Sequence, residues 1–179
     1  AEENMKNQPN ILITGTPGVG KSQLAKQVSE KLEMRWHNVS QIAKEHKFLD
    51  GFDKVLECPI LDEDKLLDHL EPVMQKGGNI VEYHACEMFP ERWFHLVFVV
   101  RCNNTILYDR LAKRKYSDKK LQSNIECEIF STIFEEAQDS YKQDLIHELT
   151  NETEEQLSQN IDRIKELVKA WQEDPGKDE

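Results

Sequence analysis

The chain is 179 residues long, with 34 acidic against 23 basic side chains and a formal net charge of −11. That length suits one α/β domain with a full core, and the acidic excess argues against a broad nucleic-acid-binding surface, which needs clustered Lys and Arg. No apolar run is long enough to span a bilayer and no secretory signal pattern is present; Cys58, Cys86, Cys102 and Cys127 form no C-x-x-C pair, which speaks against zinc and for a reducing, intracellular setting.

The first nine residues are polar and are expected to be loose. Residues 10–14, with Ile11-Leu12-Ile13, read as a buried strand, and Leu24, Val28 and Leu32 mark one face of a helix. Between them, Gly15-Thr16-Pro17-Gly18-Val19-Gly20-Lys21-Ser22 fits the phosphate-loop pattern G-x-x-x-x-G-K-[ST] at every fixed position. A strand feeding a glycine turn and then a helix N-terminus aims several backbone N–H groups into one concavity, where the helix dipole adds positive potential. The pattern predicts a nucleoside triphosphate site. Gly18, Val19, Gly20, Lys21 and Ser22 form the cradle and Gln23 continues it into the helix. Lys21 can reach the outer phosphates, and the Ser22 hydroxyl can ligate Mg2+. The loop alone leaves the fate of the phosphate open.

Further strands are expected at residues 35–39, 79–82, 95–100 and 144–147. The clearest is Leu96-Val97-Phe98-Val99-Val100, whose unbroken apolar run suits a strand covered on both faces. Helical periodicity covers residues 62–75 and the stretch from Lys120 to Tyr141, where Leu121, Ile125, Ile129 and Ile133 share a face. A last helix is expected to open on Thr153-Glu154-Glu155-Gln156, which fits the capping-box pattern, and to carry the stripe Leu157, Ile161, Ile164, Val168, Trp171. Residues 173–179 read as a disordered acidic tail. Alternating βα units behind a phosphate loop predict an α/β fold. The expectation is a three-layer, doubly wound, parallel five-stranded sheet forming one domain over residues 1–179.

Glu82 and His84 lie two apart on an extended strand end and so project to the same side; both can face the phosphate loop. Glu82 keeps the charge needed to hold Mg2+ through a water, and His84 can orient a water or a phosphate oxygen. Arg110 and Arg114 stand one helical turn apart on a shared face.

Met88-Phe89-Pro90-Glu91-Arg92 resembles the phenylalanine-proline-arginine element of nucleoside monophosphate kinases, and Arg110 with Arg114 resembles their lid arginines. Asp50-Gly51 through Cys58-Pro59-Ile60-Leu61-Asp62-Glu63-Asp64 fills the stretch of an acceptor-binding subdomain. Together with Val81-Glu82-Tyr83-His84-Ala85-Cys86, Glu91-Arg92-Trp93-Phe94-His95 and Asn124-Ile125-Glu126-Cys127-Glu128-Ile129-Phe130, the chain resembles the adenylate kinase isoenzyme 6 type from about Asn10 to Trp171.

The resemblance implies a phosphate-loop nucleoside monophosphate kinase fold with a short lid. It also implies transfer from ATP to AMP, dAMP or CMP with Mg2+-dependent ATPase activity, and a part in small ribosomal subunit maturation. The implied partners are a small-subunit ribosomal protein and the pre-ribosome, in nucleus and cytoplasm. A monomer is expected, with no membrane and no direct sequence-specific nucleic-acid binding.

By the same resemblance, Arg114 is the lid cation on ATP, assisted by Arg110, and residues 113–123 form the lid. Arg92 grips the acceptor phosphate, residues 38–61 bind the acceptor, and Lys44 stands where relatives present an Arg. His84 is linked to ATP hydrolysis, and the turn from Asn151 to Thr153 carries the adenine. Many members carry Asp at the position of Glu82. Three other readings stay open: an assembly ATPase whose kinase activity is incidental, a small-molecule kinase of the shikimate type, and a scaffold that binds ATP without chemistry, which fits poorly with an intact Lys21, Ser22 and Arg114.

Overall fold

The computed structural model describes residues 7–177. The N-terminal residues 1–6, expected to be loose, and tail residues 178–179 lie outside them. Strand β1 (Ile11–Thr14) is fully buried, as its apolar run requires. It turns through the phosphate loop into α1 (Lys21–Leu32), and β2 (Arg35–Asn38) follows. Asn38 ends that strand and caps α2 (Val39–His46), its Oδ1 accepting from Gln41 N. A hairpin, β3 (Leu49–Asp53) and β4 (Cys58–Leu61), leads to α3 (Glu63–Met74), capped by the Asp62 carboxylate on Lys65 N. Then come β5 (Asn79–Tyr83), β6 (Leu96–Arg101), α4 (Asn104–Ala112), α5 (Asp118–Ile129), α6 (Thr132–Ser140), β7 (Ile146–Thr150) and α7 (Glu154–Glu173).

The main sheet has five strands in the order β2-β5-β1-β6-β7, all parallel. Alternation along the strands divides the core in two. Ile11, Ile13, Phe98 and Val100 pack with Leu24 and Val28 of α1, Leu107 and Leu111 of α4 and the α7 stripe. Leu12, Val97 and Val99 pack on the other face with Leu66 and Leu70 of α3 and Ile133 and Ala137 of α6. This is the expected three-layer doubly wound fold. The chain moves to one side of β1 and then to the other, so a crevice opens at the carboxyl ends of β1 and β5, where ligands bind in such sheets.

Three elements differ from expectation. The helix read over residues 120–141 is two helices, because Ser131 takes a left-handed conformation (φ 53°). Leu121 and Ile125 pack against one core, Ile133 belongs to the other, and Ile129 is exposed. The break is held by Arg101, whose Nη2 donates to Glu128 O and Ser131 Oγ, both at 3.0 Å, which satisfies a helix-end carbonyl. The last strand runs over Ile146–Thr150 instead of residues 144–147, since Gln143–Leu145 form a 3-10 turn. The expected tail begins inside structure: Glu173 closes α7, and Lys177 Nζ donates to Gln172 O at 2.7 Å.

Candidate active site

The phosphate loop owes its shape to its glycines and to what braces it. Gly20 takes φ +100°, and a Cβ there would lie 2.3 Å from Asn151 Nδ2. Both facts restrict the position to glycine. Asn151 Nδ2 itself donates to Val19 O at 3.1 Å. Lys21, only 8% exposed, folds back to donate to Thr16 O at 3.1 Å. Burial pulls its pKa down to about 8, against the attraction of the Glu82 carboxylate.

Ser22, at the start of α1, donates through Oγ to Glu82 Oε2 at 2.9 Å. Glu82 is buried near the end of β5, where its backbone lies in register with Ile13 of β1 and Asn38 of β2. Its other oxygen accepts from Trp36 Nε1 at 3.1 Å. A hydroxyl and a carboxylate side by side at the mouth of a phosphate cradle are hard oxygen donors. Mg2+ takes one or two such protein ligands together with phosphate oxygens, so the pair fits that ion.

A cavity of about 960 Å³ opens over this pair. Its phosphate wall is Gly18, Gly20, Lys21, Ser22 and Gln23; its floor includes Glu82 and His84. Opposite stand Asn38, Ser40 and Lys44 of the β2–α2 region, with apolar Leu49, Leu56, Pro59 and Leu61 from the hairpin. Arg114, Tyr116 and Lys120 close a third side. Lys120 Nζ lies 4.2 Å over the Tyr116 ring, and Arg114 Nη1 donates to the Tyr116 hydroxyl at 3.3 Å. Ser117 bonds Glu57 at the hairpin tip, so lid and acceptor segment touch across the mouth. Burial first, and then the Lys21 charge, hold His84 down to about 4, so the imidazole is neutral near pH 7.

Comparison with known proteins identifies the family. The AAA domain family matches residues 11–131. An adenylate kinase isoenzyme 6 homolog from Drosophila melanogaster is 57% identical, covering 92% of this chain and 94% of its own. Homologs of the same name from Caenorhabditis elegans and Dictyostelium discoideum are 49% and 48% identical, each covering 94% of this chain and 93% and 96% of their own. The chain belongs to the adenylate kinase isoenzyme 6 family. It is thus a phosphate-loop protein of the nucleotide-kinase type. Two solved structures bear out the fold alone. A shikimate kinase from Acinetobacter baumannii superposes with TM-score 0.61 at 12% identity, over 95% of this chain and 98% of that one. A gluconokinase from Sinorhizobium meliloti gives 0.55 at 13% identity, over 92% and 96%.

The fold brings most of the sequence-nominated residues together: Gly18, Gly20, Lys21, Ser22, Gln23, Glu82, His84, Lys44 and Arg114 line the one cavity, while the Val19 side chain is buried in the core beneath the loop. Three further nominees behave otherwise. Arg110 is occupied by carbonyls: Nη1 donates to Gly18 O and Val19 O at 3.4 and 3.2 Å, and Nη2 to Asn151 O and Glu152 O at 3.1 and 3.3 Å. It clamps the loop to the turn before α7, a structural task for which its planar fork is suited. Arg92 lies in a 3-10 turn (Glu91–Trp93), donates to Glu71 of α3 and does not line the cavity. In this arrangement the Glu71 carboxylate takes the guanidinium. Thr153 caps α7, its Oγ1 accepting from Gln156 N at 3.1 Å, and does not line the cavity either.

Two residues escaped sequence reasoning. Trp36 reads as a strand apolar, yet its indole N–H holds Glu82. Glu128, 3% exposed, accepts from Thr16 Oγ1 at 3.2 Å, Arg101 Nε at 3.1 Å and Cys102 N at 3.0 Å, tying α5 to the phosphate loop. Glu128 lies in the segment Asn124 to Phe130 that carries the family resemblance, but nothing local marks it apart from Glu126 two residues earlier as the buried one.

Proposed function

We propose that this protein transfers the terminal phosphoryl group of ATP to a nucleoside monophosphate, with broad acceptor use (AMP, dAMP, CMP) and accompanying ATPase activity. The observation that carries the reading is the two-sided cavity: the Lys21–Ser22 phosphate wall faces a second wall that has its own cation, Lys44. Phosphoryl transfer asks the protein for alignment and charge neutralisation more than for covalent chemistry.

Lys21, still charged near pH 7, neutralises the outer oxygens, and Arg114 adds a second positive charge from the lid side. A magnesium ion at the Ser22–Glu82 pair supplies further neutralisation of the phosphates when bound. His84, neutral, orients a water or a phosphate oxygen and is no source of protons near pH 7. Lys44 steadies the acceptor phosphate as a point charge, without the planar fork of an arginine. The apolar hairpin residues and the Tyr116–Lys120 side exclude water from the centre.

The test is a panel of unlabelled monophosphates with γ-labelled ATP, beside a control without acceptor. Label appearing in the diphosphate of the acceptor supports transfer; release of free phosphate alone, at a rate no acceptor changes, refutes it. A role in small-subunit maturation, in nucleus and cytoplasm, completes the proposal. The acidic charge of −11 supports a basic ribosomal protein as partner. Capture of that partner in amounts that differ between ATP and ADP supports a nucleotide-gated role; equal capture argues against it.

A further inference from the structure

We propose that Trp36 is a positioning residue for the magnesium-site carboxylate, its indole N–H fixing the orientation of the Glu82 carboxylate beside Ser22. The inference rests on the Ser22–Glu82 metal reading given above and adds a residue to it. Trp36 stands on β2 opposite Ile80 of β5, and Glu82 is two residues further along β5 on the same face. That diagonal offset is within reach of a large aromatic ring. The ring is half-buried and packs against the core beneath α1, so its direction is fixed by packing.

From there Nε1 donates to Glu82 Oε1 at 3.1 Å, which leaves Oε2 on Ser22 Oγ at 2.9 Å. Glutamate has one more rotatable bond than aspartate, hence more ways to miss a metal placed beside Ser22. Two neutral donors, one on each oxygen, remove that freedom. An aspartate here would withdraw its carboxylate by about 1.5 Å, one C–C bond, and lose the indole. Trp36 and Glu82 thus act as a pair. The indole touches neither phosphate nor metal; it acts through the carboxylate, as outer-shell partners of metal ligands do.

The experiment compares wild type, Trp36→Phe, Glu82→Asp and the double variant. The readout is ATP affinity by calorimetry with and without Mg2+, and Mg2+ affinity by titration into protein saturated with a non-hydrolysable ATP analogue. Phenylalanine keeps an aromatic ring on the core but removes the donor together with the pyrrole half of the indole, and the double variant separates that loss of packing from loss of the contact. The inference expects Trp36→Phe to bind metal-free ATP like wild type but to lose about tenfold or more in Mg2+ affinity. In the Glu82→Asp background the same change has an effect below about twofold, since the contact is already gone.

Equal losses in both backgrounds, or an unchanged Mg2+ affinity in Trp36→Phe, overturn the inference. A second measurement needs no variant. The Trp36 indole N–H resonance of wild-type protein, assigned by triple-resonance spectroscopy, shifts when Mg2+ joins the analogue complex; an unmoved signal overturns the inference as well. Wild-type ATP binding that ignores Mg2+ altogether refutes the underlying metal reading, and this result is distinct from failure of the Trp36 coupling alone.

Discussion

Replacing Glu128 by Gln tests whether the phosphate loop is braced from the lid helix. The side chain is 3% exposed and accepts three hydrogen bonds: Thr16 Oγ1 and Arg101 Nε on Oε1, and Cys102 N on Oε2. A glutamine has one acceptor oxygen. Turned toward Thr16 and Arg101, its oxygen keeps those partners, and its amide NH2 then faces the Cys102 N–H, donor against donor. A buried N–H that loses its partner costs about 1–3 kcal/mol. Loss of the charge on the Arg101 contact adds about 1 kcal/mol, since charge-assisted bonds are about twice as strong as neutral ones.

The sum is near 3 kcal/mol, and Glu128→Ala, which leaves Thr16 Oγ1, Arg101 Nε and Cys102 N without their acceptor while Arg101 keeps Glu148, should cost about 3–5 kcal/mol. For a chain of this length 1 kcal/mol moves Tm by about 2–4 °C, so Glu128→Gln should melt about 6–12 °C lower. Urea unfolding and calorimetry both read this. Because Thr16 O also receives Lys21 Nζ, the variant should bind ATP more weakly as well. A Tm within about 2 °C of wild type, with ATP affinity unchanged, refutes the bracing role.

The depressed Lys21 pKa of about 8 gives a signed pH dependence. Phosphates select the charged lysine, so ATP affinity holds below pH 8 and falls above it, and binding above pH 8 takes up a proton; calorimetry in buffers of different ionisation enthalpy measures that uptake, and none at pH 8.5–9 contradicts it. The unliganded fold gains from the same group as pH rises from about 8 toward 10.5, because the unfolded chain retains the proton there. His84, held near 4 by burial, should show no ring titration in NMR between about pH 5.5 and 8, and a midpoint near 6.5 would mean an open, solvated ring. On the acceptor side, Lys44→Ala should raise the acceptor KM about tenfold, the loss of one charge-assisted contact. Arg92→Ala, which removes an exposed pair with Glu71, should leave that KM within about twofold.

The parts legible in the sequence were those whose signal is local. The loop from Gly15 to Ser22 states its own backbone geometry, and Leu96 to Val100 states that both faces of its strand are covered. Glu82 and His84 were readable through the two-residue period of a strand, and both line the cavity. What the sequence hid depends on contacts between distant residues. Ser131 breaks a stripe whose spacing runs on from Ile125 to Ile133 because Arg101 of a remote strand takes the freed carbonyl. Arg110 and Arg92 look alike as exposed cations; the carbonyls of Gly18 and Asn151 occupy one, and Glu71 occupies the other. The hairpin formed by Leu49–Asp53 and Cys58–Leu61 was seen only as an acceptor segment, since its Gly51 and Pro59 interrupt any strand period.

The most direct test of the account is the affinity of a ligand made of two adenosines joined by a five-phosphate chain, compared with ATP alone. If donor and acceptor nucleotides face each other in the one cavity, this ligand binds one to one and about 10²-fold or more tighter than ATP, and most of the excess disappears in Lys44→Ala. A ligand that binds no tighter than ATP, or whose advantage survives Lys44→Ala intact, contradicts the two-sided site.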